Sequence, residues 1–279
     1  MAGLTAALGA GIGLYARYVE DATCESTESS LVLPRWPAGL EGFRLAFVAD
    51  FHVGHKPGGP WATPALPAAI DAVRIAKPDL LVFGGDFGFM RWQPEELASA
   101  AALFDVPVRV GVLGNHDFAR GSRRARALRG SLEARGFIVL ENESVCLRFR
   151  DTPVWVAGLG DGATKRADMP KLVASLPGDA QPVLLVSHTP DAVTDMPAGV
   201  FDLVLAGHTH GGQIALPFLN HVVLRVWAKT RYDRGLYDVG DVPMFVTKGL
   251  GMVGHHARFR AKPEIALLTL RSSPPPMGV

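Results

Sequence analysis

Five runs of apolar residues, Leu45–Ala49, Leu80–Gly84, Val108–Leu113, Val183–Val186 and Leu203–Ala206, each stop abruptly at a polar cluster. The runs are near-continuous in Val, Leu and Phe rather than alternating, which is the pattern of strands buried on both faces. Helical stretches lie between them. Ala65–Ala76 follows Pro64 and ends before Lys77-Pro78, Pro94–Leu103 carries Glu95 and Glu96 in its first turn, and Ser122–Arg135 stops at Gly136. Asp168–Leu176 and Asp191–Met196 read as short helices. Phe137–Leu140, Val145–Phe149 and Val154–Leu159 read as strands spaced like a meander, and Met244–Thr247 and Ile265–Leu270 as strands closing the chain. Helices alternating with strands, then paired strands, predict an α/β fold: two mixed β-sheets face to face, flanked by helices in four αββα layers. No internal repeat is visible.

Ligands of open α/β sheets gather beyond the carboxyl ends of the strands, so the five clusters are expected on one rim. They are Asp50-Phe51-His52, Gly85-Asp86, Gly114-Asn115-His116-Asp117, Ser187-His188 and Gly207-His208-Thr209-His210. In Asp50-x-His52 and His208-x-His210 alternate residues leave the chain on the same side. Carboxylate oxygen and imidazole nitrogen together suit borderline divalent ions. Asp86 has two oxygens with which to bridge two cations, Asn115 offers a neutral carbonyl, and His188 and His208 offer nitrogens. Singly, each cluster also fits a helix cap, an Asx turn or a glycine loop; together they predict a metal site. Cys24 and Cys146 lie outside every cluster, which argues against a thiolate zinc site.

Composition fits one compact enzyme. The 279 residues are 48% apolar and 20% charged, and the net charge of +1 offers no field to gather nucleic acid. The arginine-rich stretch Arg120–Arg129 reads as a solvated helix face, with a phosphate-facing patch as the alternative.

The order Asp-x-His, Gly-Asp, Gly-Asn-His-Asp, His, Gly-His-x-His resembles the calcineurin-like metallophosphoesterase superfamily. Gly207–Leu219, Arg234-Gly-Leu-Tyr237, Lys248-Gly-Leu-Gly251 and Arg258–Ile265 are similar to one bacterial branch, often membrane-tethered, over roughly residues 15–271. That branch includes phosphodiesterases and UDP-2,3-diacylglucosamine pyrophosphatases. The resemblance implies two divalent or trivalent metal ions (Mn, Fe, Zn or Co). Asp50, His52, Asp86 and His210 would surround one, and Asp86, Asn115, His188 and His208 the other. It implies that His116 is the catalytic histidine and that Asp117 orients it. It aligns Arg258 with an arginine of the branch, which reads as a phosphate contact or as a surface ion pair. His255 and His256, where relatives more often have apolar residues, read as lining the pocket mouth or as surface histidines. Relatives often carry a second acidic residue after Gly-Asp, where this chain has Phe87, Phe89 and Met90, so Phe87 is a candidate substrate contact, with packing of Phe87 and Phe89 into the core under the metal site as the alternative.

The expected reaction is hydrolysis of a phosphate ester, favoured as a phosphodiester, by in-line attack of a hydroxide shared between the cations. The substrate would be a small-molecule or lipid-linked phosphate ester. The alternatives are a UDP-2,3-diacylglucosamine-type pyrophosphatase, a metal-binding module without turnover, and a nuclease; the low net charge counts against the last. His55 would approach the site, His221 is read as a loop residue, and Asp161 would stand behind the site.

Residues 2–16 carry no charge but are short and glycine-rich for a membrane span, and no basic stretch precedes them as in a secretory signal. Residues 1–20 are expected to be an anchor remnant giving membrane association, or else an amphipathic helix packed on the domain. Residues 21–271 would be the catalytic domain and 272–279 a disordered tail. The expected location is bacterial, cytoplasmic or peripheral to the cytoplasmic membrane.

Overall fold

The computed structural model describes residues 10–54, 63–89, 92–216, 219–254 and 257–273. His55, Met90, His255, His256, the first nine residues and the last six, all subjects of the reading above, lie outside the described residues.

The strands are β1 (Glu25–Leu33), β2 (Phe43–Val48), β3 (Leu80–Phe83), β4 (Arg109–Gly111), β5 (Phe137–Val139), β6 (Glu143–Phe149), β7 (Thr152–Gly158), β8 (Val183–Ser187), β9 (Leu203–Ala206), β10 (Gly235–Val239), β11 (Val242–Val246) and β12 (Glu264–Ser272). They form two six-stranded sheets, ordered β1-β12-β2-β3-β4-β5 and β10-β11-β9-β8-β7-β6. Within the first, β2 through β5 run parallel and β12 is antiparallel to β2. Within the second, β7, β8, β9 and β11 run parallel, with β6 and β10 antiparallel at the edges.

Burial on both faces explains the unbroken apolar runs. Leu45 and Phe47 of β2 pack between the sheets against Val156, Leu184, Leu205 and Phe245. Their neighbours Ala46 and Val48 face a second core closed by helices α2 (Leu66–Ala76), α3 (Pro94–Ala102) and α5 (Ser122–Glu133). On the far side, Leu185, Val204 and Val246 pack against Leu172 of α6 (Met169–Ala174) and Tyr232. The result is the four-layer sandwich.

Several elements differ from the sequence reading. Phe137–Val139, Glu143–Phe149 and Thr152–Gly158 are not a meander, because β5 joins the first sheet beside β4 whereas β6 and β7 belong to the second. Between them Asn142 adopts a left-handed turn (φ 55°) that carries the chain from one layer to the other. β12 continues through Ser272. His221 lies in helix α7 (Asn220–Trp227), not in a loop. Asp191–Met196 is a 3-10 turn (Pro190–Asp195).

Near the start, residues 10–15 are helical and continue into a wide turn, Ala16–Glu20, docked by a hydrogen bond from Arg258 N–H to Ala16 O at 2.9 Å. No helix among the described residues is long and apolar enough to cross a membrane. The arginines of α5 fit a solvated face: Arg123 and Arg126 are exposed, Arg129 pairs with Glu133 and Glu143, and Arg124 stacks on Trp92.

Candidate metal centre

The carboxyl ends of β2, β3, β4, β8 and β9 converge, and each delivers its polar cluster to one rim. The backbone turns sharply there. Asp50, His52, Asp86, His208 and His210 all have left-handed conformations, with φ between 48° and 72°. Such conformations are uncommon and costly for residues with a Cβ, and they concentrate at functional sites. A turn of this kind leaves Asp50 and Asp86 at the rim while the side chains that follow them, Phe51 and Phe87, enter the core. Close approach is secured by glycine: a Cβ on Gly114 would collide with Asp86 Oδ1.

Two groups of candidate ligand atoms result: Asp50, His52 and His210 in one, Asp86, His188 and His208 in the other, the atoms of each group lying within 4.8 Å of one another. In the first, His52 Nε2 and His210 Nε2 are 3.1 Å apart, and Asp50 Oδ1 lies 3.9 Å and 3.6 Å from them. In the second, His188 Nε2 is 3.2 Å from Asp86 Oδ2, 3.2 Å from His208 Nδ1 and 3.1 Å from Asn115 Oδ1. The groups meet at Asp86. Its Oδ2 is also 3.7 Å from His52 Nε2, while its Oδ1 accepts the His116 backbone N–H.

The electrostatics match a cation site. Asp50 Oδ1 is fully buried and accepts no hydrogen bond, and burial pushes this carboxyl up to about 7. Burial opposes ionisation of Asp86 too, but His188, His52 and His116 around it hold its carboxyl well below the usual range. His188 is raised well above an ordinary imidazole because Asp86 outweighs its burial. Burial, with His188 alongside, lowers His208 to about 4; burial and His52 hold His210 well below the ordinary range. His208 and His210 are therefore neutral near pH 7 and offer lone pairs. Oxygen and nitrogen donors, a buried carboxylate oxygen lacking a donor and neutral imidazoles are the environment that borderline divalent ions take.

His116 stands beside these groups. It begins α4 (Asn115–Phe118), is half-buried, and its ring packs edge-on to His52 at 5.0 Å and against Phe89 at 4.8 Å. Asp117 does not orient it. Both Asp117 oxygens are taken up by backbone N–H groups, Oδ2 by Gly114 at 2.9 Å and Asp86 at 3.0 Å, Oδ1 by Gly88 at 3.2 Å. Asp117 thus ties the Asp86 turn to the His116 turn, and burial with Asp86 nearby pushes its carboxyl up to about 8.

Two further expectations are corrected. Phe87 is 2% exposed and packs on Phe51 and Phe83, so it is core and not a substrate contact. It is Phe89, two residues on and half-buried, that reaches the site. Arg258 is wholly buried and binds no phosphate from there. Its guanidinium donates to the carbonyls of Ala261 at 2.7 Å, Lys248 at 2.9 Å and Gly249 at 3.0 Å, and to Gly251. That loop lies against the first metal-facing turn: Leu250 N–H donates to Ala49 O and Gly251 N–H to Asp50 O. Gly249 (φ 67°) is required, because a Cβ there would lie 2.6 Å from Asp50 Cβ. Arg258 therefore braces Asp50 from behind.

Asp161 closes a turn, accepting the Thr164 N–H and hydroxyl at 2.7 Å and 2.6 Å. A brace for the His208–His210 turn went unread in the sequence: Thr209 Oγ1 donates to Asp233 O at 2.5 Å and Asn220 Nδ2 to Asp233 Oδ2 at 3.2 Å. Asp233 immediately precedes the Arg234-Gly-Leu-Tyr237 motif, the one signal that could have marked it.

The calcineurin-like phosphoesterase family profile matches residues 43–212, a span holding every cluster described above. Among curated proteins the chain is 32% identical to the uncharacterized metallophosphoesterase YkuE of Bacillus subtilis (strain 168), covering 95% of this chain and 91% of that one. It is 28% identical to phosphodiesterase YaeI of Escherichia coli (strain K12), covering 82% of each. It is 26% identical to UDP-2,3-diacylglucosamine pyrophosphatase LpxG of Chlamydia trachomatis serovar D, covering 91% of this chain and 92% of that protein.

Proposed function

The chain belongs to the calcineurin-like phosphoesterase family, and from that premise we propose that it is a phosphodiesterase working with two metal ions. Asp50, His52 and His210 would hold one ion; Asn115, His188 and His208 would hold the other, with Asp86 shared. The observation that carries this reading is the position of Asp86 Oδ2, 3.2 Å from His188 Nε2 and 3.7 Å from His52 Nε2. One oxygen faces both groups. When bound, such ions supply a water acidified toward neutral pH and positive charge against the phosphoryl oxygens.

The chain's own groups do the rest. His116, fixed through its backbone to Asp86 Oδ1 and half-open to solvent, gives a proton to the departing oxygen or a hydrogen bond to a phosphoryl oxygen. Asp117 keeps the two turns that carry Asp86 and His116 at a fixed separation. Phe89 sets an apolar ring against His116, where the carbon part of an ester can rest. That contact favours a diester with an apolar group over a small hydrophilic monoester. No nucleophilic Ser or Cys motif accompanies the site, so hydrolysis proceeds in one displacement.

The near-full-length likeness to the relative named as a UDP-2,3-diacylglucosamine pyrophosphatase supports a second reading, cleavage of a pyrophosphate diester at the same centre. Metal analysis of the purified protein, with kinetics on bis(p-nitrophenyl) phosphate, p-nitrophenyl phosphate, an aryl phosphotriester and glycerol phosphate, tests the proposal. Two metal equivalents are expected, with kcat/KM highest on the diester. Equal or greater efficiency on glycerol phosphate would replace the diesterase by a broad phosphatase.

A further inference from the structure

A groove enclosing about 1460 Å³ opens from the second ligand group. Asn115 and His208 are part of its lining, whereas Asp50, His52 and His210 take no part in it. One side is the segment after β7, with Lys165 and Arg166 in the loop and Lys171 in α6, and another includes Lys229, just past α7. Gly162 packs closely on the segment after β8, where a Cβ would lie 2.7 Å from Thr189 Oγ1.

The charges in this groove fall into two kinds. Arg166 is spent on the fold: it pairs with Glu141 at 3.0 Å, donates to Ser122 and covers the Phe118 ring at 4.1 Å. Asp168 caps its own helix through the Lys171 N–H, and Asp191 accepts from Thr230 Oγ1. Lys165, Lys171 and Lys229 are exposed and make no ion pair among the described residues, and of the groove carboxylates Asp168 and Asp195 are likewise exposed and outside any ion pair. Lys165 and Lys229 share a further feature. Both sit in left-handed backbone conformations, φ 61° and 53°, as Lys77 does at the end of α2 (φ 48°), so the backbone alone does not set them apart; their shared place in the groove does.

We propose that Lys165 and Lys229, reaching one groove from two separate segments, form a subsite for a second phosphate on the substrate, beyond the ester that is cleaved. The substrate class is then a phosphodiester whose far portion is itself anionic. This inference rests on the phosphoesterase reading and adds to it. Lysine suits the task because it is a compact point charge on a flexible stem, able to follow a phosphate whose position differs between substrates.

Competition against bis(p-nitrophenyl) phosphate hydrolysis by metal-loaded full-length protein tests it, with fructose 1,6-bisphosphate and fructose 6-phosphate as the probes. The bisphosphate should inhibit on the order of tenfold more tightly, the advantage shrinking as salt is raised. In the Lys165→Ala/Lys229→Ala variant the two inhibition constants should converge, while Lys77→Ala, an exposed lysine at the end of α2, keeps them apart. Calorimetric binding of both probes gives the same ratio without turnover. Equal constants in the unaltered protein, or a preference that survives the double substitution, would overturn the subsite. Failure to hydrolyse bis(p-nitrophenyl) phosphate, with lysine-dependent binding of the bisphosphate intact, would overturn the diesterase reading and leave the subsite standing.

Discussion

The backbone N–H of His116 donates to Asp86 Oδ1 at 2.8 Å. The carboxylate whose other oxygen faces both ligand groups therefore also fixes the first turn of α4. Asp86→Asn can keep the hydrogen bond to His116 but loses the charge, whereas Asp86→Ala loses both. Atomic absorption should find neither metal retained in Asp86→Ala. A variant that still held two equivalents would remove the shared role of Asp86.

His116 is separable from the ligands, since its ring meets His52 and Phe89 only by ring packing. His116→Ala should keep its metal and lose turnover by roughly 10²–10⁴-fold. His208→Ala should instead lose about one metal equivalent. Loss of both metals in His116→Ala would move this histidine among the ligands.

Metal-free protein should lose stability as pH rises through the neutral range. Asp50 and Asp117, raised to about 7 and about 8, and His188, also raised, all hold protons in the folded state that the unfolded chain has released. The folded state binds the excess protons, so its stability falls with rising pH between the unfolded and folded values. His208, lowered to about 4, acts in the opposite sense between pH 4 and 6.5, so the decline is clearest above 6.5. Metal binding displaces these protons, and the gain in Tm on adding metal should therefore be larger at pH 8 than at pH 6. A gain that shrinks with pH would contradict this.

Arg258 supports the fold rather than the substrate. Arg258→Lys leaves several buried carbonyls short of a donor and should cost at least ~3 kcal/mol at about 1–3 kcal/mol each. Thermal unfolding should register that loss, with metal binding weakened at the Asp50 group. A KM increase with unchanged Tm would restore the phosphate-binding role.

Phe89→Ala should lower kcat/KM for bis(p-nitrophenyl) phosphate by up to about tenfold, the worth of one aromatic contact. Glycerol phosphate hydrolysis should change little, because that substrate has no apolar group to rest on the ring. Equal losses on both substrates would mean that Phe89 serves His116 and not the ester.

The rim was legible because strands buried on both faces leave an unmistakable apolar run, and the residue that ends each run stands at the sheet's carboxyl edge. Asp50, Asp86, His188 and His208 could be placed on that ground alone. The sheet to which a short run belongs is not written in the run itself, so Phe137–Val139 looked like part of a meander although it pairs with β4. β10 is an edge strand of five residues, too short and too mixed in burial to stand out. Arginine near a phosphate site suggests contact with phosphate, yet burial decided otherwise for Arg258. Phe87 and Phe89 were equivalent by type; the structure sends the first into the core and the second toward His116.

The pairing of β1 with β12, and of β12 with β2, has a consequence for biosynthesis. The strand that leads into Asp50 waits for a neighbour encoded more than two hundred residues later. While the chain emerges from the ribosome, β2 has an open edge and the Lys248–Gly251 loop that backs Asp50 does not yet exist. Closure of such distant contacts is slow and comes late in folding. The metal-facing turn thus becomes rigid only when synthesis has passed residue 272, so nascent chains should acquire their ions only after β12 has left the ribosome.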